Sequence, residues 1–100
     1  MPRVYIINKS RHDFTAAQEF GEFVYLSNGL IHKYATNRYT ERFKELLKDS
    51  KADDYLLLTS VSALNVIAAV IMMSLHGKLN LLLYNPKDSC YVHRVIKLDR

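Results

Sequence analysis

The sequence predicts an α/β fold, a small three-layer sandwich of about five strands with a parallel centre and an antiparallel C-terminal hairpin. Three observations predict it. The runs VYIIN, EFVYLS and LNLLLY read as strands that need a cover. The unit from Tyr55 to Tyr84 reads strand, helix, strand, and such a unit needs a parallel pair with a right-handed crossover. The connection NPKDS is too short for a crossover, so the strands it joins must be antiparallel neighbours. At 100 residues the chain holds a single α/β domain, residues 1–100, around one core.

Taken in order, Val4 to Asn8 is the first strand, and its nearly continuous apolar run fits coverage on both faces. KSRHDFTAAQEFG follows as a polar loop with one helical turn. Glu22 to Ser27 is the second strand, and Asn28-Gly29 is a turn signal. From Thr36 to Lys48, Tyr39, Phe43, Leu46 and Leu47 recur at helical spacing, while Arg38, Glu41, Arg42, Lys44, Glu45 and Lys48 occupy the other face. DSKADD leads into strand Tyr55–Thr59. A second helix, Ala63–Leu75, begins where Ser60 or Ser62 can accept hydrogen bonds from the free N–H groups of its first turn. It stops at His76-Gly77, with glycine where a left-handed residue is wanted. Strands Lys78–Tyr84 and Cys90–Leu98 complete the sheet.

The 21 uncharged residues from Tyr55 to Leu75 are long enough to span a bilayer. A soluble core is expected instead: SVS interrupts the run, the helix ends cleanly, and a membrane span would leave the strands uncovered. Leu64, Ile67, Ala68, Ile71 and Leu75 make one side of the helix apolar, and Val66, Ala69, Val70 and Met73 the other. A domain this small cannot cover both alone, and Met72 and Met73 are adaptable fillers of the kind interfaces use, so a homo-oligomer, most simply a dimer, is expected. Cys90 is the only cysteine, which excludes an internal disulfide, and MPRVYIINKSRHDF lacks the pattern of a signal peptide; a cytoplasmic location is expected. The formal charge of +4 favours anionic partners.

Ligands of open α/β sheets lie beyond the carboxyl ends of the parallel strands. Three loops leave such ends here: Lys9-Ser10-Arg11-His12-Asp13, then Thr59-Ser60-Val61-Ser62 with Asn65 on the first helical turn, and Tyr84-Asn85. Cations, hydroxyls, amides and one imidazole beside a helix N-terminus suit an anion, and the expected ligand is a nucleotide-type phosphodiester. Lys9 and Arg11 would offset its charge, Thr59, Ser60 and Ser62, with Ser10 beside them, would donate hydrogen bonds, and Asn65 or Asn85 would touch base or ribose. The alternative reading makes Ser60 and Ser62 helix caps, Arg11 and Asp13 a solvated pair, and His12 structural. No Cys or His cluster has metal-ligand spacing, and no cofactor is expected. The phosphate-cradling glycine motifs, the G-x-S-x-G elbow and a carboxylate pair for glycoside chemistry are all missing. Asp53-Asp54 sit at the wrong end of their strand and cap or solvate it. Turnover at the cluster would be metal-independent phosphodiester cleavage by an adjacent ribose 2′-hydroxyl, with His12 as general acid or base and Arg11 stabilising charge; slow or absent turnover is expected.

Two further classes compete. The apolar helix and the seven tyrosines would suit a basic interaction module or inhibitor with no small ligand. Tyr34, Tyr39 and the basic helix Arg38–Lys51 would suit single-stranded nucleic acid, although Glu41, Glu45 and Asp49 dilute that face and pairs such as Glu45–Lys48 point to a solvated surface with Tyr39 in the core.

The opening strand with its Arg-His pair, VYIINKSRHDF, and the unit DYLLLTSVSALNVIAA resemble the small CRISPR-associated proteins of the CARF type. Those are minimal Rossmann-like dimers that bind, and in some cases cleave, cyclic oligoadenylate. The resemblance implies a Rossmann-like dimer that binds a cyclic oligonucleotide signal and acts as a ring nuclease if it turns over. A short, basic, single-cysteine α/β chain also suits the related role of small phage proteins that sequester or degrade nucleotide alarm signals in antiviral defence.

Overall fold

The computed structural model describes residues 1–98 and has the α/β architecture expected from the sequence. Strands β1 (Arg3–Ile6), β2 (Glu22–Tyr25), β3 (Tyr55–Leu57), β4 (Lys78–Asn85) and β5 (Cys90–Lys97) form one sheet in the order β2-β1-β3-β4-β5. The first four are mutually parallel, and β5 runs antiparallel to β4. A 3-10 helix spans Thr15–Phe20, and two α-helices follow, α1 (Thr36–Leu47) and α2 (Ser62–His76).

Side-chain alternation along each strand divides the core in two. On one face Tyr5, Ile7, Leu56, Leu79 and Leu81 meet both α-helices, through Tyr39, Phe43 and Leu47 of α1 and Leu64, Ala68 and Met72 of α2. Each triplet recurs every four residues, so it forms a single stripe. On the other face Val4, Ile6, Leu57, Leu82 and Tyr91 are covered by Phe14 and Ala17, which makes the third layer one 3-10 helix and the residue before it. A single handedness explains the split. The chain moves outward from β1 to β2, then reverses to reach β3 and β4, and right-handed crossovers in opposite directions put their helices on opposite faces. The reversal falls between β1 and β3, and there the sheet has its switch point.

Several expectations need correction. The β1, β2 and β3 strands stop before Asn8, Ser27 and Thr59. Asn65 explains the last: its Oδ1 accepts from Thr59 N–H (3.2 Å) and its Nδ2 donates to the Thr59 carbonyl (2.7 Å), replacing sheet partners. Neither Ser60 nor Ser62 caps α2. The N-cap is Val61, without a side-chain bond, and Ser62 is the first helical residue. Asn85 belongs to β4, so the turn is Pro86–Ser89 and the register pairs Asn85 with Cys90 and Tyr84 with Tyr91. As expected of a domain too small to cover both sides of α2, Val66 and Val70 are 61% and 62% exposed. The helix ends as expected, with Gly77 at φ 69° donating to the Met73 carbonyl. Among the described residues no helix is long and apolar enough to cross a membrane. Asp54 is buried and closes the amino end of the sheet, accepting from Arg3 N–H and Lys51 N–H at 2.8 Å each.

Candidate functional site

Beyond the carboxyl ends of β1, β3 and β4 lies a cavity of about 260 Å³. Four of its eight lining residues carry aromatic rings. The His12 ring stands edge-on to Phe14 (5.0 Å between centroids) and to Tyr84 (5.2 Å), and Tyr84 lies 5.2 Å from Tyr91. Such offset and edge-to-face contacts fix ring orientation as well as burying area. Leu58 closes the apolar side, and Ser10, Thr59 and Ser60 bring hydroxyls to the wall.

The loops that carry these groups are held by their own polar contacts. Asp13 accepts from both the backbone N–H (2.9 Å) and the hydroxyl (2.5 Å) of Thr15, which anchors the start of the 3-10 helix and the loop before it. Those two bonds, the hydroxyl first, hold the Asp13 carboxyl below its ordinary range. Ser10 Oγ accepts from His12 N–H at 3.2 Å and turns the chain toward the cavity. Deeper, the Ser27 hydroxyl lies 2.6 Å from the Ile7 carbonyl and 2.9 Å from Asn8 Oδ1, while Asn8 Nδ2 donates to the Gly29 carbonyl. This buried network joins the carboxyl ends of β1 and β2.

Tyr91 lines the cavity and is only 6% accessible. Its hydroxyl is buried and, among the described residues, has no hydrogen-bond partner. An unpaired buried hydroxyl costs about 1–3 kcal/mol, a cost that the folded protein bears here. Burial first, then the neighbouring Tyr84 and Asp13, push the phenol above its ordinary value and keep it protonated.

Of the residues expected from the sequence, Ser10, His12, Thr59 and Ser60 meet at this cavity. Lys9 and Arg11 do not line it: Lys9 Nζ lies 5.4 Å from the Tyr25 ring centre, and Arg11 is exposed. Ser62 faces a neighbouring depression. The two asparagines are committed elsewhere, Asn65 to Thr59 and Asn85 to its own turn, where Oδ1 accepts from Lys87 N–H and Nδ2 donates to Asp88. Phe14, Leu58 and Tyr91 were not anticipated. Only the pairing of Tyr84 with Tyr91 could have revealed the last, and it depends on the turn register.

The fold and this cavity together define a class: a small doubly wound α/β protein with an aromatic crevice at its switch point. The chain belongs to the phage Pam3 gp32-like protein family, whose model matches residues 2–98. No curated protein and no solved structure matches it.

Proposed function

We propose that the protein binds a nucleotide-type ligand with its base in the aromatic crevice. The observation that carries this reading is a cavity at the switch point lined by the rings of His12, Phe14, Tyr84 and Tyr91 together with Ser10, Thr59 and Ser60. A planar heterocycle offers ring faces for His12, Phe14 and Tyr84 and polar edges for Tyr91, Ser10, Thr59 and Ser60. The volume supports a ring rather than a whole cyclic oligonucleotide, since pockets that enclose drug-sized ligands run to about 300–1,000 Å³. The sugar and phosphate of such a ligand would therefore lie outside, on the side of the exposed Lys9 and Arg11. The proposal keeps the role of binding or sequestering a nucleotide signal but moves recognition from the phosphate to the base. His12 is the one imidazole in the wall, and imidazole is the side chain suited to proton transfer near neutrality, so any turnover would run through it.

Isothermal calorimetry and thermal shift with nucleosides, mononucleotides, cyclic dinucleotides and cyclic oligoadenylates test the reading. Binding should raise the melting temperature in proportion to occupancy, by RT ln(1 + [L]/Kd) in free energy. Nucleosides should retain much of the affinity of the matching nucleotides. Heat and stabilisation absent for every base-containing compound would remove the proposal.

A further inference from the structure

Deepening that reading, we infer that the crevice is one end of a groove that binds single-stranded nucleic acid across the carboxyl-terminal face of the sheet. The inference rests on the crevice as a base site, and its other parts involve separate residues. Two more depressions continue from the crevice in succession. The nearer, lined by Lys33 and Tyr34, shares Ser60 with it; the farther, lined by His32, Arg38 and Arg42, shares Ile31 with the nearer. Among the described residues no carboxylate lines any of the three.

The charges on α1 are sorted to match. Glu41 pairs with Lys44 (3.6 Å) and Glu45 with Lys48 (2.6 Å), so the acids that dilute this helix neutralise its lysines. Among the described residues Arg38 and Arg42 form no ion pair. Arg42 lines the depression and is oriented by its Nε–H, which donates to the Leu26 carbonyl at 3.0 Å; among the described residues its terminal nitrogens make no hydrogen bond. Such a fork suits a phosphate. In the middle stands Tyr34, 86% exposed, with Lys33 Nζ 5.2 Å from its ring centre. A tyrosine this exposed buries nothing in the fold and offers a ring face for stacking. An aromatic well, an exposed tyrosine beside a lysine, and two unpaired arginines in succession are the elements of a single-strand track: bases stack on rings while the backbone follows the cations. A duplex cannot present an unstacked base to the crevice.

Fluorescence anisotropy with labelled oligothymidylates of increasing length, and with the same sequences as duplexes, tests the groove. Affinity should rise with length and level off, and duplexes should bind more weakly. Log affinity should fall with log salt with a slope of about −0.7 per phosphate contacted, and Arg38→Gln and Arg42→Gln should each reduce that slope by about 0.7. Tyr34→Ala should weaken oligonucleotide binding by about tenfold. All three variants should leave mononucleotide binding unchanged. Oligonucleotides binding no tighter than a mononucleotide that does bind would overturn the groove and leave the crevice reading standing. Tight binding that depends on Arg38 and Tyr34 but is indifferent to Tyr91→Phe would keep the groove and remove the crevice from it. Duplexes binding as well as single strands would overturn the inference.

Discussion

Tyr91 carries the cost of an unpartnered hydroxyl without ligand and, on the proposed reading, a benefit with it, and one substitution separates the two. Tyr91→Phe keeps the ring in contact with Tyr84 and removes only the unpartnered hydroxyl. The variant should be as stable as the parent or more stable by about 1 kcal/mol without ligand, yet bind nucleosides several-fold more weakly. Chemical denaturation and calorimetry on the same samples read both effects. The phenol also sets an alkaline limit. Because its folded pKa is raised above the ordinary 10.0, the folded state holds this proton more tightly than the unfolded chain. The resulting stability is complete below about pH 10 and is lost as pH rises through the folded value; Tyr91→Phe should lack that part of the loss.

Among the elements, the junction of β3 and α2 decides whether the crevice stays open. Asn65 holds both backbone groups of Thr59 from inside the helix, and so sends Leu58, Thr59 and Ser60 out of the sheet and into the cavity wall. Asn65→Ala should lower stability by about 1–3 kcal/mol, and thermal or urea unfolding would show it. The same change should weaken ligand binding although Asn65 does not line the cavity. This element also shows what sequence can convey. The apolar runs, the helix periodicities and the glycine after His76 placed every strand and helix in order, because burial imposes a period that can be read locally. The role of Asn65 could not be read that way. An amide suits a ligand and a backbone equally well, and only the folded loop shows that its bonds are already made.

For the whole molecule, the same limit explains why the crevice was only partly legible. Its polar half lies on loops that follow strand ends, and the switch-point rule finds those directly. Two of the crevice's four rings, Phe14 beside the 3-10 helix and Tyr91 on the far strand of a hairpin, are not found that way, and adding one residue to β4 reverses which side chains of that hairpin face the site. The charge distribution is likewise set by pairing in space, since Glu41 and Glu45 stand three residues beyond Arg38 and Arg42 yet pair with Lys44 and Lys48.

The outer face of α2 is a separate surface, with Val66 and Val70 exposed and a groove beside it lined by Met73, Leu79 and Ile96. The dimer expected from the apolar helix would cover this face. Light scattering at high micromolar concentration should then give twice the monomer mass, and Val70→Glu should return it to one chain without loss of nucleoside affinity; a monomer in the parent protein would contradict the expectation.

The central claim, that a base enters the aromatic crevice, is tested most directly by mapping amide chemical shifts as a nucleoside is titrated into the labelled protein. The account predicts saturable shifts at Ser10 to Phe14, Leu58 to Ser60, and Tyr84 and Tyr91. Shifts confined to the outer face of α2, or none at a saturating concentration, would contradict it.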